Sequence, residues 1–194
     1  MTTTPAPVAS ARPSRGQRAA DVLARELPAA LVRTVEQAGE TTIYVQPEHI
    51  VGVLTLLRDH SEAQYRVPLF VTAVDWPDRE PEAPRFDVVY ELRSLQFNDE
   101  CRVIAQVTEA EPRIASAERV FAGLDWHERE CFDLLGIEFV GHHDLHRILL
   151  PEDWVGHPLR KDYVSFGEPI AFTHNLEWAL PAAERPRDMP GDTR

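Results

Sequence analysis

Cysteine is scarce in this 194-residue chain: Cys101 and Cys131 stand alone and far apart. Two thiols so placed exclude a disulfide framework, and they cannot supply the four ligands that an iron–sulfur cluster usually takes from protein. Long apolar runs are missing as well. The longest, Ile50–Leu57, is less than half of what crossing a bilayer requires, and the amino terminus lacks the apolar core of a signal peptide. Positive charge is in deficit, with 20 Lys and Arg against 32 Asp and Glu and a net charge of -12. That balance argues against nucleic acid or an anionic lipid surface as a main partner, since both need a basic face, and leaves basic protein surfaces open. The nine glycines form no phosphate-cradling or nucleotide-binding pattern.

A hydrophobic content of 43% is enough for one sizeable core, so a single domain with tails is expected. Residues 1–15, MTTTPAPVASARPSR, lack an apolar period and read as a disordered leader. A helix is expected from about Gln17 to Glu26, with Ala20, Leu23, Ala24 and Leu27 on one face. Leu31–Glu36 and Thr41–Gln46 are β-rich and flank Gln37-Ala38-Gly39-Glu40, a hairpin pattern. Pro47 suits a first helical residue, and Ile50, Val53, Leu54 and Leu57 make a buried stripe behind it. Leu69–Val74 reads as a third strand. In the fourth, Phe86, Val88, Tyr90 and Leu92 point inward while Asp87, Val89, Glu91 and Arg93 form a more polar outward face. Asn98-Asp99 turns the chain into a fifth strand, Cys101–Thr108.

The order α-β-β-α-β-β-β predicts an α+β fold: a two-layer sandwich in which helices pack on a mixed sheet of about five strands. Helices are expected next at Ala115–Gly123 and Trp126–Leu135. The domain plan is a leader over 1–15, an α+β domain over 16–141, and an extended partner-binding segment over 142–194.

The densest stretch is WHERECFDLLGIEFVGHHDLHRILLPEDWVGHPLRKDY, Trp126 to Tyr163. Asp125 with Glu128 three positions on is a capping-box pattern, so a helix opens at Trp126 and Gly136 ends it. The irregular chain beyond it holds Leu145, Ile148, Leu149, Leu150, Trp154 and Leu159, anchors that imply docking. Glu128-Arg129-Glu130, Asp133-Leu134-Leu135-Gly136-Ile137, His142, Asp144-Leu145, Arg147-Ile148-Leu149 and Gly156-His157-Pro158-Leu159-Arg160-Lys161-Asp162-Tyr163 fall in a recognisable order and spacing. They resemble the signature of the thirty-kilodalton subunit family of respiratory complex I, known in bacterial NADH-quinone oxidoreductases as the C subunit. His143 and His146 depart from residues common in that family.

The resemblance implies a non-catalytic subunit of the peripheral arm of a proton-translocating NADH-quinone oxidoreductase, on the cytoplasmic side of the bacterial cell membrane. Its implied partners are other peripheral-arm subunits together with cluster-bearing neighbours. Chief among them is the forty-nine-kilodalton type, the bacterial D subunit, which helps form the quinone site. NADH, FMN, iron–sulfur clusters and quinone belong to the whole complex, with no cofactor, metal or membrane span in this chain. The equivalent subunit of a membrane-bound hydrogenase, or of a ferredoxin- or F420-dependent reductase, is the alternative.

Two other chemistries compete for the same residues. His142 and His146, four apart, could hold a metal for hydrolysis, but a zincin helix needs Glu directly after its first His, and His143 stands there. Glu130 and Asp133 could act as paired acid–base groups. No nucleophile accompanies them, so they are expected instead to meet Arg147, Arg160 and Lys161 in a structural charge network. Trp126, Phe132, Trp154, Tyr163 and Phe166 are read as core or interface anchors rather than as a quinone pocket.

Overall fold

The computed structural model describes residues 14–80 and 83–163; the leader up to residue 13 and Phe166 lie outside them. The chain opens with helix α1, Gln17–Glu26, which buries Ala19, Ala20, Val22 and Leu23. Ala24, expected on that face, is exposed. Gly16 precedes the helix at φ +78°, where a Cβ would come within 2.8 Å of the Thr41 carbonyl and 3.3 Å of the Cys101 Cα. That close approach seats α1 on the sheet and selects its Ala19–Val22 side as the inner one.

Strands β1 (Leu31–Gln37) and β2 (Glu40–Val45) form the expected hairpin. Its two turn residues, Ala38 and Gly39, both take positive φ (53° and 80°), the handedness that matches strand twist. A short 3-10 turn at Pro47–His49 leads into α2 (Ile50–Asp59), which buries Ile50, Val53, Leu54 and Leu57 as the stripe predicts. Strands β3 (Val67–Asp75), β4 (Phe86–Ser94) and β5 (Asp99–Val107) complete a five-stranded sheet in the order β1-β2-β5-β4-β3. Only β2 and β5 pair in parallel within it, so the sheet is mixed. The helices pack on the face carrying Ile43, Val45, Val71, Phe86, Val88, Tyr90, Val103 and Ala105.

The opposite face of β4 is more polar, as expected, yet it is not simply solvated. Asp87 is buried because the Trp76 Nε1–H, the Arg79 guanidinium and the Gln106 amide all donate to it at 2.7–3.0 Å. Past β5 the expected helix at Ala115–Gly123 does not form. Arg113–Ala115 is instead a short strand, β6, paired in parallel with β7 (Glu138–Val140), and a 3-10 turn at Ala122–Leu124 follows. Helix α3, Asp125–Leu135, crosses between β6 and β7. The compact unit runs on through Lys161, and Asp162 and Tyr163 fall in a second unit.

Candidate functional site

Helix α3 begins without a side-chain cap. The 3-10 turn runs straight into it, so the Asp125 amide is already bonded to the Ala122 carbonyl and Asp125 itself is helical. The capping box expected from Asp125 and Glu128 is therefore absent. Glu128 turns inward, fully buried, and accepts the Ala117 amide at 2.7 Å and the Ser116 hydroxyl at 2.6 Å. Burial dominates its acidity and pushes the carboxyl up to about 7, although both hydrogen bonds pull the other way. Glu128 thus fastens the start of α3 to the connection after β6.

The other end of α3 is held by Asp133, also fully buried. Its carboxylate accepts Arg147 Nη1 at 2.6 Å and the amides of Ile148, Leu149 and Leu150 at 2.8–3.1 Å. Burial alone would raise its pKa, but these four donors outweigh it and hold the group below the usual carboxylate range. Three consecutive amides converging on one oxygen fold Arg147–Leu150 around the carboxylate. Arg147 then spreads its other bonds over the carbonyls of Asp133, Trp154 and Gly156 at 3.0–3.2 Å.

The last carbonyls of a helix need donors from elsewhere, and here the Gly156–Lys161 run supplies them. His157 Nδ1 donates to the Asp133 carbonyl (2.9 Å), the Leu159 amide to Leu134 (3.0 Å) and Arg160 Nε to Leu135 (2.7 Å). A cationic donor there also opposes the negative end of the helix dipole. Gly136, at φ +74°, makes room. A Cβ at this position would stand 2.5 Å from the His157 ring and 2.6 Å from Arg160 Nη2. Burial keeps His157 below the usual histidine range, which suits a neutral donor.

Asp75 and Arg85 complete this arrangement and were not anticipated from the sequence. Asp75 ends β3 and Arg85 precedes β4, and they form a two-bond pair at 2.7 and 2.9 Å with side chains 1% and 9% exposed. The Lys161 amide donates to the same Asp75 carboxylate at 2.8 Å. Arg85 and Arg160 both lie 5.2 Å from the Phe86 ring centre. An acid closing one strand and a guanidinium opening the next was the available signal.

The expected charge network is thereby corrected. Asp133 and Arg147 meet, whereas Arg160 bonds helix carbonyls and Lys161 contributes its backbone amide. Glu130 is exposed and makes no ion pair among the described residues. Arg129 donates to His146 Nε2 at 2.7 Å, and His146 Nδ1 pairs with Asp144 at 3.0 Å, so His146 is held by partners other than the His142 that the disfavoured hydrolase reading paired with it. His142 lies instead 3.1 Å from Asp125 Oδ1 and 3.5 Å from Glu118, which also binds His143. Glu118 in turn raises the pKa of His143. Pro158 and Trp154 are half-buried, Trp126 is exposed, and in the second unit Asp162 is exposed and Tyr163 half-buried.

Leu145 packs against the core and Ile148 and Leu150 are half-buried, while Leu149 and Leu159 are 62% and 54% exposed. The helix–loop clamp leaves these two outside.

The chain matches the family described as respiratory-chain NADH dehydrogenase, 30 Kd subunit, over residues 43–169. It is 44% identical over 159 residues to the C subunit of the NADH-quinone oxidoreductase of Roseiflexus castenholzii, spanning 80% of this chain and 90% of that one. The C subunit of the Salinispora arenicola oxidoreductase is 37% identical over 169 residues, 84% of this chain and 68% of that one. Among solved structures, the trypsin-resistant fragment of Nqo5 aligns with a TM-score of 0.51 and 26% identity over 58% of this chain and 89% of its own. A chain of an archaeal membrane-bound sulfane sulfur reductase shares the fold, with a TM-score of 0.63 and 18% identity over 90% of this chain and 98% of its own.

Proposed function

Since the chain belongs to the family of the respiratory-chain NADH dehydrogenase 30 Kd subunit, we propose that it is a structural subunit, free of redox cofactors, of a proton-translocating NADH-quinone oxidoreductase. It sits in the peripheral arm on the cytoplasmic side of the bacterial cell membrane and braces the forty-nine-kilodalton-type subunit near the quinone site. The observation that carries this reading is the Asp133–Arg147 clamp. Charges that could have served chemistry are committed to shaping the chain's own backbone, which holds an irregular segment in one conformation.

The cysteines support the same reading. Both are buried, and burial pushes the Cys131 thiol up to about 12 and Cys101 well above its ordinary value, the opposite of what a thiolate ligand needs. No helix among the described residues is long and apolar enough to cross a membrane, which accords with the proposed attachment through partner subunits.

On that clamped segment Leu149, Val155 and Leu159 are 62%, 86% and 54% exposed, and Trp126 on α3 is 70% exposed. Burying a large apolar side chain contributes about 1.5–3 kcal/mol, so a few such anchors hold a partner after ordering costs are subtracted. The test is the double variant Leu149→Asp with Leu159→Asp, produced in cells that make the rest of the complex. Native gels should show loss of assembled oxidoreductase while the isolated chain unfolds at its normal temperature. Full assembly of the variant would remove this surface from the account.

A further inference from the structure

Glu118, in the turn after β6, Asp125, at the start of α3, and His142 and His143, after β7, bring one potential ligand atom each to within 4.8 Å of one another. His142 Nε2 lies 3.1 Å from Asp125 Oδ1 and 3.5 Å from Glu118 Oε2, and His143 Nδ1 lies 2.7 Å from that same Glu118 oxygen. Ligands about 2.0–2.1 Å from a tetrahedral zinc ion stand roughly 3.3–3.4 Å apart along each edge. The three gaps bracket that edge length.

Burial points the same way. The His142 side chain is wholly buried and that of Glu118 is 10% exposed. Asp125 Oδ1 is shut off from solvent, on a side chain 26% exposed, and lies 3.1 Å from His142 Nε2 without forming a hydrogen bond to it. Two carboxylates therefore converge on one imidazole nitrogen, in a chain whose net charge is already -12. Glu118 already accepts the His143 amide and ring nitrogen, so the added pull for a cation comes from the two carboxylates sharing one buried imidazole.

We propose that Glu118, Asp125, His142 and His143 bind one zinc ion as a closed four-coordinate structural site. Imidazole nitrogen with carboxylate oxygen is a ligand set zinc accepts, and four protein ligands leave no open position for a reacting water. The ion ties the turn after β6, the start of α3 and the entry to the clamped segment at a single point. His146 is outside the set, being held by Arg129 and Asp144. The Asp144 amide donates to His142 Nδ1 at 3.1 Å, which places the imidazole proton on Nε2. Zinc binding moves that proton to Nδ1, gives up the 3.3 Å hydrogen bond from Nε2 to the Asp125 carbonyl and turns the exposed Asp144 amide away, with no net proton gained or lost at His142.

The site does not depend on membership of an assembled complex, so the full-length chain alone tests it. Chelator-treated protein is titrated with zinc sulfate by calorimetry and with cobalt(II) chloride by visible absorption. One equivalent should bind, cobalt should show the intense bands of four-coordination, and zinc should raise the unfolding temperature. His143→Ala, at a side chain 63% exposed, should fold normally and weaken zinc binding by at least about tenfold, the low end of losses seen even at outer-shell residues. Glu118→Gln should do the same, and His146→Ala should bind like the native chain. No zinc binding, a six-coordinate cobalt spectrum, or equal affinity in the native and His143→Ala chains would overturn the proposal.

Discussion

Replacing Asp133 with Ala should destabilise the chain more than any other single carboxylate change in α3. The side chain is wholly buried and accepts four hydrogen bonds, one from a guanidinium whose side chain is 14% exposed. Removing one partner of a buried ion pair typically costs about 3–5 kcal/mol, because the remaining charge loses its counterpart. The three freed amides belong to half-buried or exposed residues and can reach water, so they add little. A loss of that size is a large fraction of an ordinary domain's stability of about 5–15 kcal/mol, and it lowers the unfolding temperature by roughly 6–20 °C. Calorimetry of Asp133→Ala beside Glu130→Gln is the assay. The Glu130 change, at an exposed side chain on the same helix, should stay within about 0.5 kcal/mol. An Asp133→Ala chain within about 1 kcal/mol of the native protein, or equal losses at both positions, would refute the assignment of the clamp to Asp133.

Glu128 sets a pH dependence. Its carboxyl is raised from 4.5 to about 7 in the folded chain, so the stability it contributes is fully present below about pH 4.5 and is lost as the pH rises through 7. The difference reaches about 3 kcal/mol at pH 8. Glu128→Gln can still accept the Ala117 amide and donate to Ser116, so it should be more stable than the native chain in urea at pH 8 and no better at pH 4; parallel curves at both pH values would contradict this. Gly136→Ala should cost at least about 2 kcal/mol, combining a left-handed backbone penalty with the clash against His157 and Arg160. Gly39→Ala, at φ +80° with nothing within 4 Å of its Cβ, should show the backbone penalty alone, and equal losses at the two glycines would argue against close packing at Gly136.

The strands and helices up to β5 were legible because their apolar residues repeat with period two or 3.6, a local property of the chain. Strand β6 was not, since Arg113-Ile114-Ala115 gains its ladder only from Glu138–Val140 across the whole of α3. The inner face of α1 was half legible. Ala19 and Val22 displace Ala24 because Gly16 presses that side of the helix onto β2 and β5.

Charged residues were hardest to place. Glu128, Glu130 and Asp133 look alike along the sequence, and which of them is buried depends on donors elsewhere: the Ala117 amide and Ser116 for one, Arg147 and three loop amides for another. Asp75 and Arg85 were missed for the same reason, since the Lys161 amide that bonds Asp75 lies far along the chain. Gly136 was legible as a helix end, but its second role, admitting His157 and Arg160 to the last carbonyls, needs the loop in place.

The scaffold reading is tested most directly by what the chain holds on to in the cell. An affinity-tagged full-length chain, purified from detergent-solubilised membranes of cells that make it, should bring down a forty-nine-kilodalton-type subunit and cluster-bearing partners in near-equal amounts, with NADH-quinone reductase activity in the eluate. Elution of the chain alone, or with a complex that takes electrons from a donor other than NADH, would contradict the account.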